Sequence, residues 1–289
     1  MPKQDILFVI NPNSGRDKKK ANLLTLLDKK LDKNRFNPTI KFTKRPNHAK
    51  ELVNEYLEKG FKEFVAVGGD GTINEIGSQL LHKDVVLNII SKGSGNGLAR
   101  HLGIFDTDED CIERINAGKI IKIDVGFINN IPFLCAAGLG FDAYGALKFS
   151  ESKGRGLRNY IKVGLNSFFK YIPIDIEFNN ASYKTFSITF GNASQFGNNA
   201  YITPDADISD GLLDCCIVKK HSKWASIKVL IQLFNKKIRS SKYVEYYKGK
   251  HFEIETNEPV LIHFDGESKL LNTRNVKIKV VPNALNIRI

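Results

Sequence analysis

At 289 residues, with 42% hydrophobic and 26% charged residues, the chain has a globular composition and enough length for two cores. Its longest apolar stretches fall far short of the roughly 20 residues that cross a bilayer, and no signal-peptide pattern precedes the first strand-like run, so a cytoplasmic protein is expected. The formal charge of +12 excludes an acidic chain, and Cys111, Cys135, Cys215 and Cys216 show no metal-ligand spacing.

The basic charge is concentrated. Residues 152–170 carry Lys153, Arg155, Arg158, Lys162 and Lys170 and no acid, and residues 219–250 set ten lysines and arginines against the single Glu245. Both stretches interleave aromatics, among them Phe168, Phe169, Trp224 and Phe234. That pattern suits an anionic lipid surface or a single-stranded nucleic acid, and equally a solvated basic face.

In chain order, strand-like segments at 6–10, 38–43, 63–67 and 85–90 alternate with helical patterns at about 17–33, 46–59, 73–82 and 106–117. This is the order of a parallel sheet covered by helices. The first strand runs into Asn11-Pro12-Asn13-Ser14-Gly15, a turn sequence that says little alone. The third breaks into Gly68-Gly69-Asp70-Gly71-Thr72, after which Ile73, Ile76 and Leu80 recur at helical spacing. A strand, a glycine turn and a helix build an anion site at the carboxyl end of a strand, where absent side chains let a phosphate reach backbone N–H groups. Asp70 would repel that phosphate unless it holds Mg²⁺ or orients a water; a tight turn with a solvated Asp is the plainer alternative. The fourth strand enters a second such turn, Ser91-Lys92-Gly93-Ser94-Gly95-Asn96-Gly97.

After Asp124 strand-like runs dominate, at 119–128, 131–137, 174–178, 183–191, 212–219, 251–256, 260–264 and 276–281. Turns such as Asn129-Asn130, Asn179-Asn180 and Asp210-Gly211 punctuate them. Helical patterns interrupt near 156–170 and 222–238, the second with Ile227, Leu230, Ile231, Phe234 and Ile238 on one face. Cys215 and Cys216, being adjacent in a strand, should point to opposite faces. Domains of 1–124 and 125–289 are expected, with room for the last strand to return to the first. Near the end stands His263-Phe264-Asp265-Gly266-Glu267, two carboxylates around a glycine, which is either a general base with its neighbour or a β-turn.

In this order and register, these segments resemble the diacylglycerol kinase catalytic family, which includes sphingosine and ceramide kinases and the bacterial soluble lipid kinases, over nearly the whole chain. NAD kinases and phosphofructokinases look similar at the Gly-Gly-Asp-Gly core alone. The resemblance implies an α/β N-terminal domain with a parallel sheet of the NAD kinase and phosphofructokinase kind, and an antiparallel β-sandwich-like C-terminal domain. It implies an ATP-dependent lipid kinase that uses Mg²⁺, with Asn11, Thr43, Gly68, Gly69, Asp70, Gly71, Thr72, Asn74 and Ser94 around the nucleotide. Glu267 would be the general base, with Asp265 and Asp70 as supporting catalytic groups. The segment Thr203 to Leu212 looks like one that binds a structural Mg²⁺ in bacterial members, through the Asp210 carboxylate and the carbonyls of Asp207 and Leu212, with Asp124 tied to the metal through water. An Asx turn capping a strand is the alternative there. Gly97 departs from the acid that many bacterial members carry at that position. The partners implied are a lipid substrate, an anionic membrane surface approached peripherally and a second copy of the chain, and no nucleic acid.

Overall fold

The computed structural model describes residues 2–14, 17–152 and 157–289, so Gly15, Lys153 and Arg155 lie outside the described residues. The chain divides into two compact units, Met1–Ile123 with Asn283–Ile289, and Asp124–Pro282.

The first unit runs β1 (Gln4–Ile10), α1 (Asp17–Lys30), β2 (Phe36–Phe42), α2 (His48–Glu58), β3 (Glu63–Gly68), α3 (Asp70–Gly77), β4 (Val86–Ser91), α4 (Gly97–His101) and α5 (Asp108–Ala117). The strands lie in the order β2-β1-β3-β4, all parallel. Helices cover the central strands, which is why β3 is buried along its whole length. Ile6, Phe8 and Ile10 join Leu23, Leu27 and Ile112 in one core, while Leu7 and Val9, pointing the other way, are fully buried too. α2 buries Ala49, Leu52, Val53 and Tyr56, the spacing of one helical face. Register sets Phe42, Ile10, Val67 and Ile90 in one row, so four segments leave the sheet side by side at its carboxyl edge. The short α4 has no counterpart in the periodicity, because five residues are too few to show one.

β5 (Ile120–Ile128) leads into the second unit, with β6 (Ile131–Phe133), β7 (Ala136–Gly140), α6 (Phe141–Glu151), α7 (Leu157–Lys170), β8 (Ile174–Phe178), β9 (Ala181–Gly191) and β10 (Leu213–Lys219). Then come α8 (Lys223–Phe234), a 3₁₀ turn (Ile238–Ser240), β11 (Val244–Gly249), β12 (His251–Thr256), β13 (Leu261–Phe264), β14 (Glu267–Leu270) and β15 (Asn275–Arg288). The ladders in this unit are antiparallel and enclose a core that includes Phe133, Phe178, Ile188, Phe190, Phe252, Ile254, Ile262 and Ile278. Asn179 and Asn180, both at positive φ, close the two-residue hairpin between β8 and β9. Cys215 faces this core and Cys216 a second one with Ile202 and Val218, on opposite sides of β10 as alternation requires.

Three differences from the sequence reading have physical causes. The run 131–137 is not one strand: it breaks at Leu134 and Cys135, whose N–H groups donate to a side chain instead of a ladder. Helix α6 was not expected, and of its residues only Ala143 is fully buried, so it carries no strong apolar stripe. The apolar face of α8 is shorter than the pattern suggests and does not extend to Ile238. Val229 and Leu233 pack inward, whereas Ile227, Leu230, Ile231 and Phe234 are exposed, and Ile238 is buried beyond the helix end.

The last residues of β15 complete the first unit. Ile287 pairs in parallel with Leu87, and Arg288, Glu63 and Asn88 are all buried. Arg288 pairs with Glu63 and donates from Nε to Asn88 Oδ1 at 3.0 Å, while Asn88 Nδ2 donates to Glu63 Oε2 at 2.8 Å. Losing one member leaves the others buried and unsatisfied. Arg288→Met is therefore expected to destabilise the protein by about 3–5 kcal/mol, read from urea unfolding.

His263 on β13 is buried, and burial pushes its imidazole down to about 4. The unfolded chain takes up a proton near 6.5 that the folded chain refuses until about 4, so stability rises with pH across that window and is lost on acidification. Unfolding free energy should thus fall between about pH 7 and about pH 5, and His263→Phe should flatten that dependence. An unchanged slope in the variant would assign the acid sensitivity to other groups.

Candidate active site

The carboxyl edge of the first sheet carries the nucleotide-type residues. Asn11 follows β1, its N–H donating to Val67 O at 2.9 Å and its Nδ2 to Thr72 Oγ1 at 3.0 Å. Thr43 follows β2 and is held by its N–H to Ile10 O at 2.9 Å. After β3, Gly69 is the N-cap of α3, so Asp70, Gly71 and Thr72 form the first turn of that helix, where unpaired N–H groups and the helix dipole favour an anion. Thr72 and Asn74 are buried beneath this turn.

The second glycine turn lies against the first. A Cβ added at Gly93 would stand 2.6 Å from the Cα of Gly69, so the two backbones meet at a distance that only glycine allows. Asn96 locks the turn internally, accepting from Gly93 N at 2.9 Å and donating to Gly93 O at 2.8 Å. Its own N–H donates to Asp70 Oδ2 at 2.8 Å. Asp70 thus has a structural task, tying one glycine turn to the other. Ser94 stands exposed at the tip. Asn96 stands in the left-handed region, φ 54 and ψ 48, before Gly97 at the start of α4, and an Asn-Gly pair in the sequence is the signal for such a turn.

In the second unit, Asp265 and Gly266, at φ 46 and 85, form the two-residue turn between β13 and β14, with Phe264 opposite Glu267. The Asp265 carboxylate is buried and accepts three backbone N–H groups, from Leu134 at 2.7 Å, Cys135 at 2.8 Å and Ala136 at 3.1 Å. Its geometry is that of a positioning residue, not of an acid turned to substrate or metal. Glu267 begins β14 and is exposed. Helix α6 packs on β13 and β14, and its first turn brings a carboxyl that sequence reasoning missed. Asp142 accepts from Thr189 Oγ1 at 2.7 Å, and burial raises it to about 6, so it holds a proton part of the time near neutrality. Phe141, Tyr171 and Phe186 form an aromatic cluster beside it, with centroids 4.7–5.5 Å apart. An Asp directly after the glycine-rich apolar run 136–141 was the available sequence signal.

The turn at 207–212 does not form a cation cage. Asp207 Oδ1 accepts from Ser209 N and Oγ at 2.9 and 2.8 Å, and Asp210 Oδ1 from Leu212 N at 2.9 Å, which is Asx-turn geometry. Asp210 Oδ2 is 2.8 Å from Lys248 Nζ. Asp124, fully buried, accepts Gly211 N directly at 2.6 Å. Among the described residues no group of three or more His, Cys, Asp or Glu is arranged to hold a metal. The one carboxylate that the resemblance assigns to a structural Mg²⁺, Asp210, is thus engaged at both oxygens.

Comparison with known proteins bears on this arrangement. The model for the diacylglycerol kinase catalytic domain matches residues 5–128, and that for the YegS C-terminal NAD kinase beta sandwich-like domain matches residues 138–289. A diacylglycerol kinase of Bacillus subtilis is 27% identical over 90% of this chain and 88% of its own length. A protein of Enterobacter, named among the YegS-like lipid kinases, is 26% identical over 86% of this chain and 85% of its own. The crystal structure of a diacylglycerol kinase from Bacillus anthracis superposes with a TM-score of 0.72 at 22% identity, covering 99% of this chain and 97% of that one. With two domain models that together take in nearly all of its length, the chain belongs to the diacylglycerol kinase catalytic-domain family and is a kinase.

Proposed function

We propose that this kinase transfers the γ-phosphoryl group of ATP to the hydroxyl of a lipid, diacylglycerol or a sphingoid-type alcohol, at an anionic membrane surface. The observation that carries the nucleotide half is the contact of Gly69 with Gly93, which joins two glycine turns at the N-terminus of α3. Phosphoryl transfer asks a protein chiefly for alignment and charge neutralisation, and backbone N–H groups at a helix start supply both. Asn11, Thr43, Gly68 to Thr72, Asn74 and Ser94 would bind the phosphates and ribose. Mg²⁺ arrives with ATP, and Asp70 is the carboxylate in these turns with the charge to face it. Glu267 would take the proton from the lipid hydroxyl, while Asp265 fixes the hairpin on which it stands.

The surface chemistry of the second unit supports a lipid acceptor. None of the 12 residues of α8 is buried, and Trp224 is 84% exposed. Ile227, Leu230, Ile231 and Phe234 share its outward side, with exposed Lys220, Lys228, Lys236 and Lys237 around them. An exposed apolar helix rimmed by lysines suits the boundary between headgroups and acyl chains. Among the described residues no helix is long and apolar enough to cross a membrane, so the proposed attachment is peripheral.

The reading is tested with purified protein, Mg²⁺ and labelled ATP over a panel of lipids in mixed micelles, with NAD as a control acceptor. Label on one lipid is expected; label on NAD alone would overturn the reading. Glu267→Gln should lower turnover by roughly 10²–10⁴ and leave ATP binding intact, as loss of a general base does. Trp224→Glu combined with Ile231→Glu should abolish co-sedimentation with anionic vesicles while leaving activity on a short-chain soluble acceptor unchanged. Wild-type binding by the double variant would remove α8 from the membrane contact.

A further inference from the structure

The lysine beside Asp210 has no part in the proposed chemistry, yet it stands where a cation is implied for relatives. β10 and β11 pair so that Asp214 and Lys248 are directly opposite. From that position the Lys248 ammonium lies 2.8 Å from Asp210 Oδ2 and 3.4 Å from Asp214 Oδ2. Asp214 is almost wholly buried, and its other oxygen accepts the Tyr246 hydroxyl at 2.8 Å. A second cation staples the start of the same segment: Arg239 pairs with Asp205 at 2.8 Å and lies over the Tyr246 ring at 5.0 Å.

We infer that Lys248 is the built-in cation of the 205–214 segment, doing with a side-chain ammonium the structural work that a bound divalent ion would do. Mg²⁺ demands several oxygen ligands at about 2.0–2.1 Å in near-octahedral order. Here Asp210 offers neither carboxylate oxygen unengaged, since Oδ1 takes Leu212 N–H and Oδ2 takes Lys248. The Asp207 side chain is turned to Ser209, its Oδ1 accepting from Ser209 N and Oγ. A dication placed on Asp210 would also have to displace a like charge held at hydrogen-bond distance from that carboxylate. The ammonium needs no such cage: it donates up to three hydrogen bonds from a flexible stem, meeting Asp214 across a ladder rung and Asp210 in the turn before β10. The second unit is accordingly held without a divalent cation, whichever lipid the kinase acts on.

The test is thermal unfolding of the full chain without nucleotide, in EDTA and across a titration with MgCl₂ alone. Wild-type protein should show the same melting temperature throughout. Lys248→Met should melt about 2–4 °C lower in EDTA, and Lys248→Arg, which keeps the charge, should stay near wild type. A saturable rise of the wild-type melting temperature with Mg²⁺ that Asp210→Asn removes would overturn the inference. So would Lys248→Met melting with wild type, or Lys248→Arg melting as low as Lys248→Met.

Discussion

One buried carboxylate organises the part of the molecule on which the proposed chemistry turns. Asp265 gathers the N–H groups of Leu134, Cys135 and Ala136, and its own N–H donates to Ala136 O at 2.9 Å. A lone charge at that depth would be intolerable, and three donors make it stable. The same bonds interrupt a strand, end β6 and start β7, and fasten the β13–β14 hairpin. Glu267 inherits its place from this arrangement, because a two-residue turn leaves no slack between it and Asp265. Charge, strand break and hairpin are one feature seen from three sides.

The first unit solves a similar problem with less charge and more backbone. Two glycine turns approach so closely that no side chain fits between Gly69 and Gly93, and the Asn96 N–H, donating to the Asp70 carboxylate, keeps them there. What results is a surface made mostly of amides, at the start of a helix and at the end of a buried parallel sheet. Such a surface offers N–H donors suited to an anion without a cluster of lysines. The chain's excess of basic residues is thereby available for the second unit.

The central strands and both glycine turns were legible in the sequence, because a short apolar run ending in glycine has few other uses. The asparagine and Asp-Gly hairpins were legible for a related reason, positive φ being chemically costly elsewhere. What could not be read was direction and long-range pairing. Periodicity gave α8 an apolar face but not the side on which it lies, and the exposed side proved to hold Ile227, Leu230, Ile231 and Phe234. Lys248 meets Asp210 only through the β10–β11 register, which no local pattern encodes. Asp265 reads as a catalytic partner because its neighbour suggests it; its three amide donors lie 129–131 residues away in the chain. Asp142 is signalled only by its place after the glycine-rich apolar run 136–141, since its raised pKa comes from burial.

The strand β15 has a consequence for how the protein comes into being. The first unit needs Asn283–Ile289, and its buried Glu63 carboxylate needs Arg288. When Met1–Ile123 has left the ribosome, that sheet still lacks an edge partner for β4 and a counter-charge for Glu63. The nucleotide-type half therefore waits, unfinished, through the synthesis of the entire second unit. Completion comes only with residues 283–289, and loss of that segment would be felt at Glu63, 225 positions before Arg288.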